Sequence, residues 1–256
     1  MTPLSVVIIT FNEEKHIGNC LQSVLPVADE IVVVDSHSTD QTKTIAEKFS
    51  VCFIEHAFEG HIEQKNFALT QATFPHVLSL DADECLSTEL TQSILSVKQQ
   101  WKDDGYTCNR LNNYCGKWIH HSGWYPDPKL RLFDRRKGKW GGTNPHDRFE
   151  MIAEATTGFL KGDLLHYTAE TEEQFLKKMD RYTDITATEL FRQNKSTTLF
   201  VIYIKTIVNF IRNFFFRLGF LDGAMGWRLS RIGAYYTYQK YYKLLKMQQE
   251  RESGAV

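Results

Sequence analysis

Asp81-Ala82-Asp83 places two carboxylates one residue apart, directly after the short apolar run His76-Val77-Leu78-Ser79-Leu80. Such a run reads as a buried strand of a parallel sheet. Open α/β sheets bind their ligands beyond the carboxyl ends of their strands. Paired hard oxygens at that edge suit Mg²⁺ or Mn²⁺ carrying a diphosphate. The alternative reading of the same three residues is an acidic surface turn.

The elements that would position this pair repeat along the chain. Leu4-Ser5-Val6-Val7-Ile8-Ile9-Thr10 predicts a strand, followed by Phe11-Asn12-Glu13-Glu14, where Asn12 caps a helix starting near Glu13. Glu30-Ile31-Val32-Val33-Val34 predicts a second strand ending at Asp35, with Thr39 or Asp40 capping a helix over 41–49. Val51-Cys52-Phe53-Ile54 predicts a third, followed by a helix over 61–70. Strands alternating with helices predict a mainly parallel sheet with right-handed crossovers, its polar tips converging on a nucleotide cleft.

Composition sets bounds. A chain of 256 residues buries a substantial core. A net charge of −1 supplies no basic field for nucleic acid. The five cysteines lack zinc spacing and read as reduced thiols, with Cys20 and Cys52 in core elements. The first strand begins almost at the N-terminus, so no signal peptide is expected.

The set Ser5 to Glu13, Ile31 to Ser36, Gln64-Lys65-Asn66-Phe67-Ala68 and Asp81-Ala82-Asp83 resembles the inverting family 2 glycosyltransferases with a GT-A fold. Further on, Gly123-Trp124-Tyr125-Pro126-Asp127-Pro128-Lys129-Leu130-Arg131-Leu132-Phe133 and Arg217-Leu218-Gly219-Phe220-Leu221-Asp222-Gly223 are similar to the WaaE/KdtX-like subgroup that glycosylates the lipopolysaccharide inner core. The resemblance implies a GT-A domain over 1–170 and a helical extension over 171–256. It implies a nucleotide-sugar donor, UDP-glucose by default, and a lipid-linked oligosaccharide acceptor. Thr10, Asn12 and Glu13 would lie at the nucleotide, Asp35 at the base or ribose, and Lys65 near the diphosphate as a point charge. Lys65 also reads as a solvated helix-face residue, and Asp40 as a cap rather than a donor contact. Asp83 would bind the metal, with Asp81 on the ribose or a metal-bound water, and Glu84 solvated.

Inverting transfer needs a base for the acceptor hydroxyl and an oxocarbenium-like transition state. Related enzymes carry a Val-His-Glu segment whose acid is the candidate base. The glycine-rich stretch Gly141-Gly142-Thr143-Asn144-Pro145-His146-Asp147 offers Asp147 instead, on a loop, with His146 and Glu150 as rivals. His166 is a further metal-ligand candidate, while His120-His121 reads as a loop pair. Trp124 and Tyr125 offer stacking surfaces for an acceptor sugar, or wedges of core. Arg131, Arg135, Arg136 and Lys137 offer guanidinium and ammonium groups to an anionic acceptor, or a solvated edge.

From Leu199 to Leu221 the chain is rich in Phe, Ile, Val and Leu. Lys205, Asn209, Arg212, Asn213 and Arg217 gather into one basic polar stripe on a helix, and three cations argue against a spanning segment. A helix on the anionic inner face of the inner membrane is expected, with the protein otherwise cytoplasmic; packing on the domain or on a second copy is the alternative. Tyr235, Tyr236, Tyr238, Tyr241 and Tyr242 suit an interface belt, and Glu250 to Val256 a disordered tail. Among other functions, transfer to a polyprenyl phosphate or a peptide, and a non-catalytic carbohydrate- or membrane-binding protein on the same fold, stay open. A nucleotidyltransferase lacks its lysine-bearing phosphate loop here.

Overall fold

The computed structural model describes residues 1–143 and 146–253; the side chains of His146 and Glu252 lie outside that description. The alternation expected from the sequence is present: β1 (Leu4–Thr10), α1 (Ile17–Val24), β2 (Glu30–Asp35), α2 (Thr42–Ala46), β3 (Cys52–Glu55), α3 (His61–Gln71) and β4 (His76–Asp81). After these come β5 (Glu84–Leu86), α4 (Thr88–Gln99), β6 (Gly105–Tyr114), β7 (Lys117–Ile119) and β8 (Pro128–Asp134). β9 (Gly138–Thr143), β10 (His146–Met151) and β11 (Thr157–Ala169) complete the strands. The main sheet runs β3-β2-β1-β4-β8-β6-β11-β5, with β7 paired to β6, and β9 with β10 forms a separate hairpin. The first four strands in that order are parallel, and β8 joins β4 antiparallel. The sheet is therefore mixed: Thr10, Asp35 and Asp81 end parallel strands, while Arg131 and His166 lie on antiparallel ones.

Alternation with a period of two fills both faces. Leu4, Val6, Ile8, Leu78 and Leu80 pack with α1 and α4 on one side, while Val7, Val32, Val34 and Val77 pack with α3 and the hairpin on the other. Strands buried on both faces read as continuous apolar runs, which is why the sequence shows them clearly. Register then does the positioning. Thr10 pairs with Asp35, and Asp81 with Ile9, so all three polar residues reach one carboxyl edge.

Several boundaries differ from expectation. Asn12 caps no helix: it has φ +53°, and α1 starts a turn later than predicted, at Ile17. Cys52 is exposed rather than part of the core; all five cysteines are free thiols. Asp147 lies in strand β10, opposite Gly142, and not on a loop.

The chain divides into two compact units, 1–111 with 127–167, and 112–126 with 168–256. Residues 112–126 thus belong with the C-terminal helices. The second unit contains α5 (Glu172–Arg192), α6 (Leu199–Ile211) and α7 (Gly223–Glu252), with a wide π-type turn at Arg212–Phe216 and a 3₁₀ turn at Gly219–Asp222. Helix α7 carries Glu250 and Arg251, so the expected tail is helical there; 254–256 lie outside the described residues. The core of this unit is Tyr114, Ile119, Phe175, Leu229 and Ile232. Two of its segments far apart in sequence, 121–123 and 217–222, meet. His121 bonds Asp222 through its backbone N–H and its ring, and Ser122 N–H donates to Arg217 O. Gly123, at φ +77°, favours glycine by its backbone, and a Cβ there would stand 2.1 Å from Arg217 Nη1, so that side chain would have to move.

Candidate active site

Two loops form one wall at the carboxyl edge of the first unit. Asp35, almost fully buried, accepts from Ser38 N–H at 2.7 Å and from Ser38 Oγ at 2.5 Å. Asn12 Oδ1 accepts from Thr39 N–H at 2.8 Å, while Asn12 N–H donates to Ser38 Oγ at 2.8 Å. Glu13 N–H donates to Thr42 Oγ1, and Asp40 accepts from Thr42 N–H and Glu14 N–H. The left-handed backbone of Asn12 is what lets its amide face the second loop, since Asn tolerates that region better than most residues. Asp40 therefore braces loops. Thr10 Oγ1 is buried with no hydrogen-bond partner among the described residues.

The other wall is a charged cluster. Lys65 on α3 is buried, and its Nζ stands 3.0 Å from Asp81 Oδ1 and 2.7 Å from Asp147 Oδ2. The ammonium also lies 4.5 Å from the centre of the Trp140 ring. Reciprocal bonds between the Asn66 amide and the Trp140 backbone clamp α3 to β9. That clamp carries Lys65 to Asp147; of the three glycines of β9, Gly141 lies against the Glu150 carboxylate, where a Cβ would stand 2.5 Å from Oε2, and Gly142 has φ +99°. Glu150 binds Arg148, and the His146 side chain lies outside the described residues.

Behind Asp81 sits a second layer. Arg131 is buried and contacts Glu84 Oε1 at 2.7 Å and Asp81 Oδ2 at 3.3 Å. Glu84, expected to be solvated, is fully buried; it accepts from Asp81 N–H and faces Arg110 at 3.6 Å. A buried charge persists only when paired, and here each has its counterion. Burial alone would raise the Asp81 carboxyl, but Lys65 and Arg131 outweigh it and hold it well below the usual carboxylate range. Arg131 is thus spent inside the cluster and does not face an acceptor. Of its expected companions, Arg135 donates to Leu69 O and Arg136 binds Asp134.

Asp83 Oδ2 stands 3.3 Å from His166 Nε2, and Tyr167 N–H donates to Asp83 O. A carboxylate oxygen beside an imidazole nitrogen fits two positions around a divalent cation, the remainder falling to substrate phosphate and water. Among the described residues no group of three or more His, Cys, Asp or Glu side chains forms a ready cage. Asp81, held by two cations, does not fit as a ligand.

Trp124 and Tyr125 belong to the second unit. Trp124 packs edge-on to Tyr114 and tilts against Phe175, so it is a core wedge; Tyr125 meets His120 edge-on. Glu84, expected only to be solvated, and Arg110 and Trp140, which the sequence did not single out, had one usable signal. Arg131 interrupts the apolar strand Leu130-Arg131-Leu132, and a charge there demands a buried partner.

The chain matches the family model described as glycosyl transferase family 2 over residues 5–153. It is 30% identical to an uncharacterised glycosyltransferase of Rickettsia prowazekii, covering 95% of this chain and 87% of that one. It is 27% identical to the lipopolysaccharide core biosynthesis glycosyltransferase LpsC of Rhizobium meliloti, over 92% of this chain and 89% of that one. Its fold is similar to that of a mannosyltransferase of Pyrobaculum calidifontis solved with GDP-Man and Mn²⁺, at TM-score 0.56 and 14% identity, covering 96% and 88%.

Proposed function

We propose that this chain, which belongs to glycosyl transferase family 2, moves a hexose, glucose by default, from a UDP-sugar to a lipopolysaccharide inner-core oligosaccharide with inversion. The observation that carries the reading is Lys65, whose ammonium joins Asp81 to Asp147 across the mouth of the carboxyl edge. The similarity to LpsC supports the acceptor class.

Thr10, Asn12 and Glu13 line the nucleotide end, and Asp35 takes the base or ribose. Asp81 orients the ribose. Lys65 presents its charge to the diphosphate, where an ammonium acts as a point charge. Asp83 and His166 would hold Mg²⁺ or Mn²⁺, which would supply positive charge to the departing phosphate. Lys65 occupies Asp147 Oδ2, leaving Oδ1 to receive the proton of the acceptor hydroxyl. The base thereby stands on the hairpin, opposite the strands that hold the donor. Tyr125 is the aromatic side chain retained for stacking on the acceptor. The enzyme works on the cytoplasmic side of the inner membrane, held peripherally there by its second unit.

A thermal-shift screen tests the donor site. UDP with Mn²⁺ raises the midpoint because it binds the folded state only. Asp83→Ala abolishes the metal-dependent part of that rise, and purified protein releases UDP from UDP-glucose. A folded sample that shifts with no nucleotide and turns over no sugar nucleotide is instead a binding protein on this fold.

A further inference from the structure

The helix expected to carry a basic stripe turns a different face outward. Asn209 and Asn213 point at α7: a Cβ on Gly233 would stand 3.1 Å from Asn213 Nδ2 and 3.3 Å from Asn209 Oδ1. The two amides bond each other at 3.0 Å. Ile202 is buried on that same side. The opposite side is hydrocarbon. Phe200, Ile204, Ile207 and Ile211 follow at intervals of four, three and four, one line down the helix. Their exposures are 73%, 45%, 57% and 39%, and Phe216 on the following turn reaches 79%. Monomeric proteins rarely leave so continuous an apolar surface in water.

We infer that this outward face of α6 and the turn after it insert into the hydrocarbon of a lipid leaflet, with α6 lying in the membrane plane. The inference deepens the peripheral-membrane reading above and rests on it. Charge identifies the occupant. No acidic residue occurs from Leu199 to Leu221. Lys205 and Arg212, seven apart, fall on one flank of the apolar line, at the level where cations reach phosphate head groups. The Lys205 ammonium lies 3.9 Å from the centre of the Tyr241 ring, an aromatic contact suited to the same interface. A two-fold contact with a second copy would instead bring these cations toward their own equivalents without a counterion.

Packing and charge set the orientation. Helix α6 runs on through the π-type turn to Phe216, 18 residues and about 27 Å of rise, long and apolar enough by itself to cross a membrane; Lys205 and Arg212 within that stretch favour the membrane plane. Leu218, at φ +54°, then breaks the helical path. The inner side of α6 is committed to α7. Insertion by an apolar face differs from adsorption by charge in one measurable respect: salt screens the second and spares the first.

The test is co-sedimentation of the full chain with phosphatidylethanolamine–phosphatidylglycerol vesicles and with phosphatidylcholine vesicles, at low salt and at about 1 M salt. The wild type binds both kinds of vesicle and keeps most of its binding at high salt. Phe200→Ser with Phe216→Ser lowers the partition coefficient at least about tenfold on both, since each side chain loses an apolar burial. Lys205→Gln with Arg212→Gln lowers it less, and mainly on the anionic vesicles. The substituted side chains are exposed, and an unchanged UDP–Mn²⁺ thermal shift shows that the variants fold. Binding that survives the phenylalanine substitutions overturns the insertion face while leaving the membrane reading intact, and binding erased by salt does the same. No binding by the wild type, with a dimer that the phenylalanine substitutions dissociate, overturns both and assigns the face to a second copy.

Discussion

The carboxyl edge of the first unit and the outer face of α6 break the usual partition of residues in opposite directions. One buries Lys65, Glu84 and Arg131, and the other exposes Phe200, Ile207 and Phe216. Charged side chains are almost never fully buried unless paired, and large apolar patches rarely face water. The first departure is balanced within the protein, because Lys65 has two carboxylates and Glu84 two guanidiniums. The second is not balanced within the described chain, and its completion lies outside. An internal network and an unsatisfied surface therefore report different things: a preorganised site in one case, a docking face in the other.

That contrast is sharpest at Asp147. If it is the base, Asp147→Asn lowers UDP release in the presence of acceptor by roughly 10²–10⁴-fold, while the UDP–Mn²⁺ thermal shift persists. A variant that keeps full turnover removes Asp147 from the chemistry and leaves it a partner of Lys65. Glu84 tests the buried layer. Glu84→Gln takes the nearer carboxylate from Arg131, which keeps Asp81, and leaves Arg110 with Asp127; it is expected to cost about 1–3 kcal/mol in urea unfolding. A cost near zero would mean that water, not Glu84, solvates those guanidiniums.

The second unit has an internal check of its own. Gly123→Ala forces a Cβ into Arg217 at positive φ, with an expected loss of roughly 1–3 kcal/mol by thermal unfolding. An unchanged midpoint would show that Arg217 swings away freely. The smallest effect concerns acid. The Asp81 carboxyl lies below its unfolded value, so its contribution is present above about pH 4 and drains away as pH falls toward the folded value. Asp81→Asn removes this slope, and urea midpoints between about pH 5 and 2 become flatter than in the wild type. Equal slopes would assign acid unfolding to other carboxylates.

Much of the carboxyl edge was legible in the chain. Apolar runs of strand length, each ending in a polar residue, place Thr10, Asp35 and Asp81 at one edge once the strands are parallel, and a period of two is a local property. Asn12 was legible as a polar residue after β1 but not as a left-handed loop brace, because a cap and a brace use the same side-chain chemistry. Glu84 was misread as solvated, since three acids in a row look alike until Arg131 and Arg110 are brought from other strands.

The sequence by itself determined the alternating α/β order, the polar tips of the strands, the reduced state expected of the cysteines and the apolar character of 199–221. Local pattern suffices for these, because backbone periodicity decides which side chains share a face. Only the tertiary structure decided that Lys65 meets Asp147 across 82 positions of chain, that Trp124 is a wedge, and that α6 turns Asn209 and Asn213 toward α7. Helical spacing shows that a helix has two faces. Which one is covered depends on the partner packed against it, and that partner is set by contacts distant in sequence.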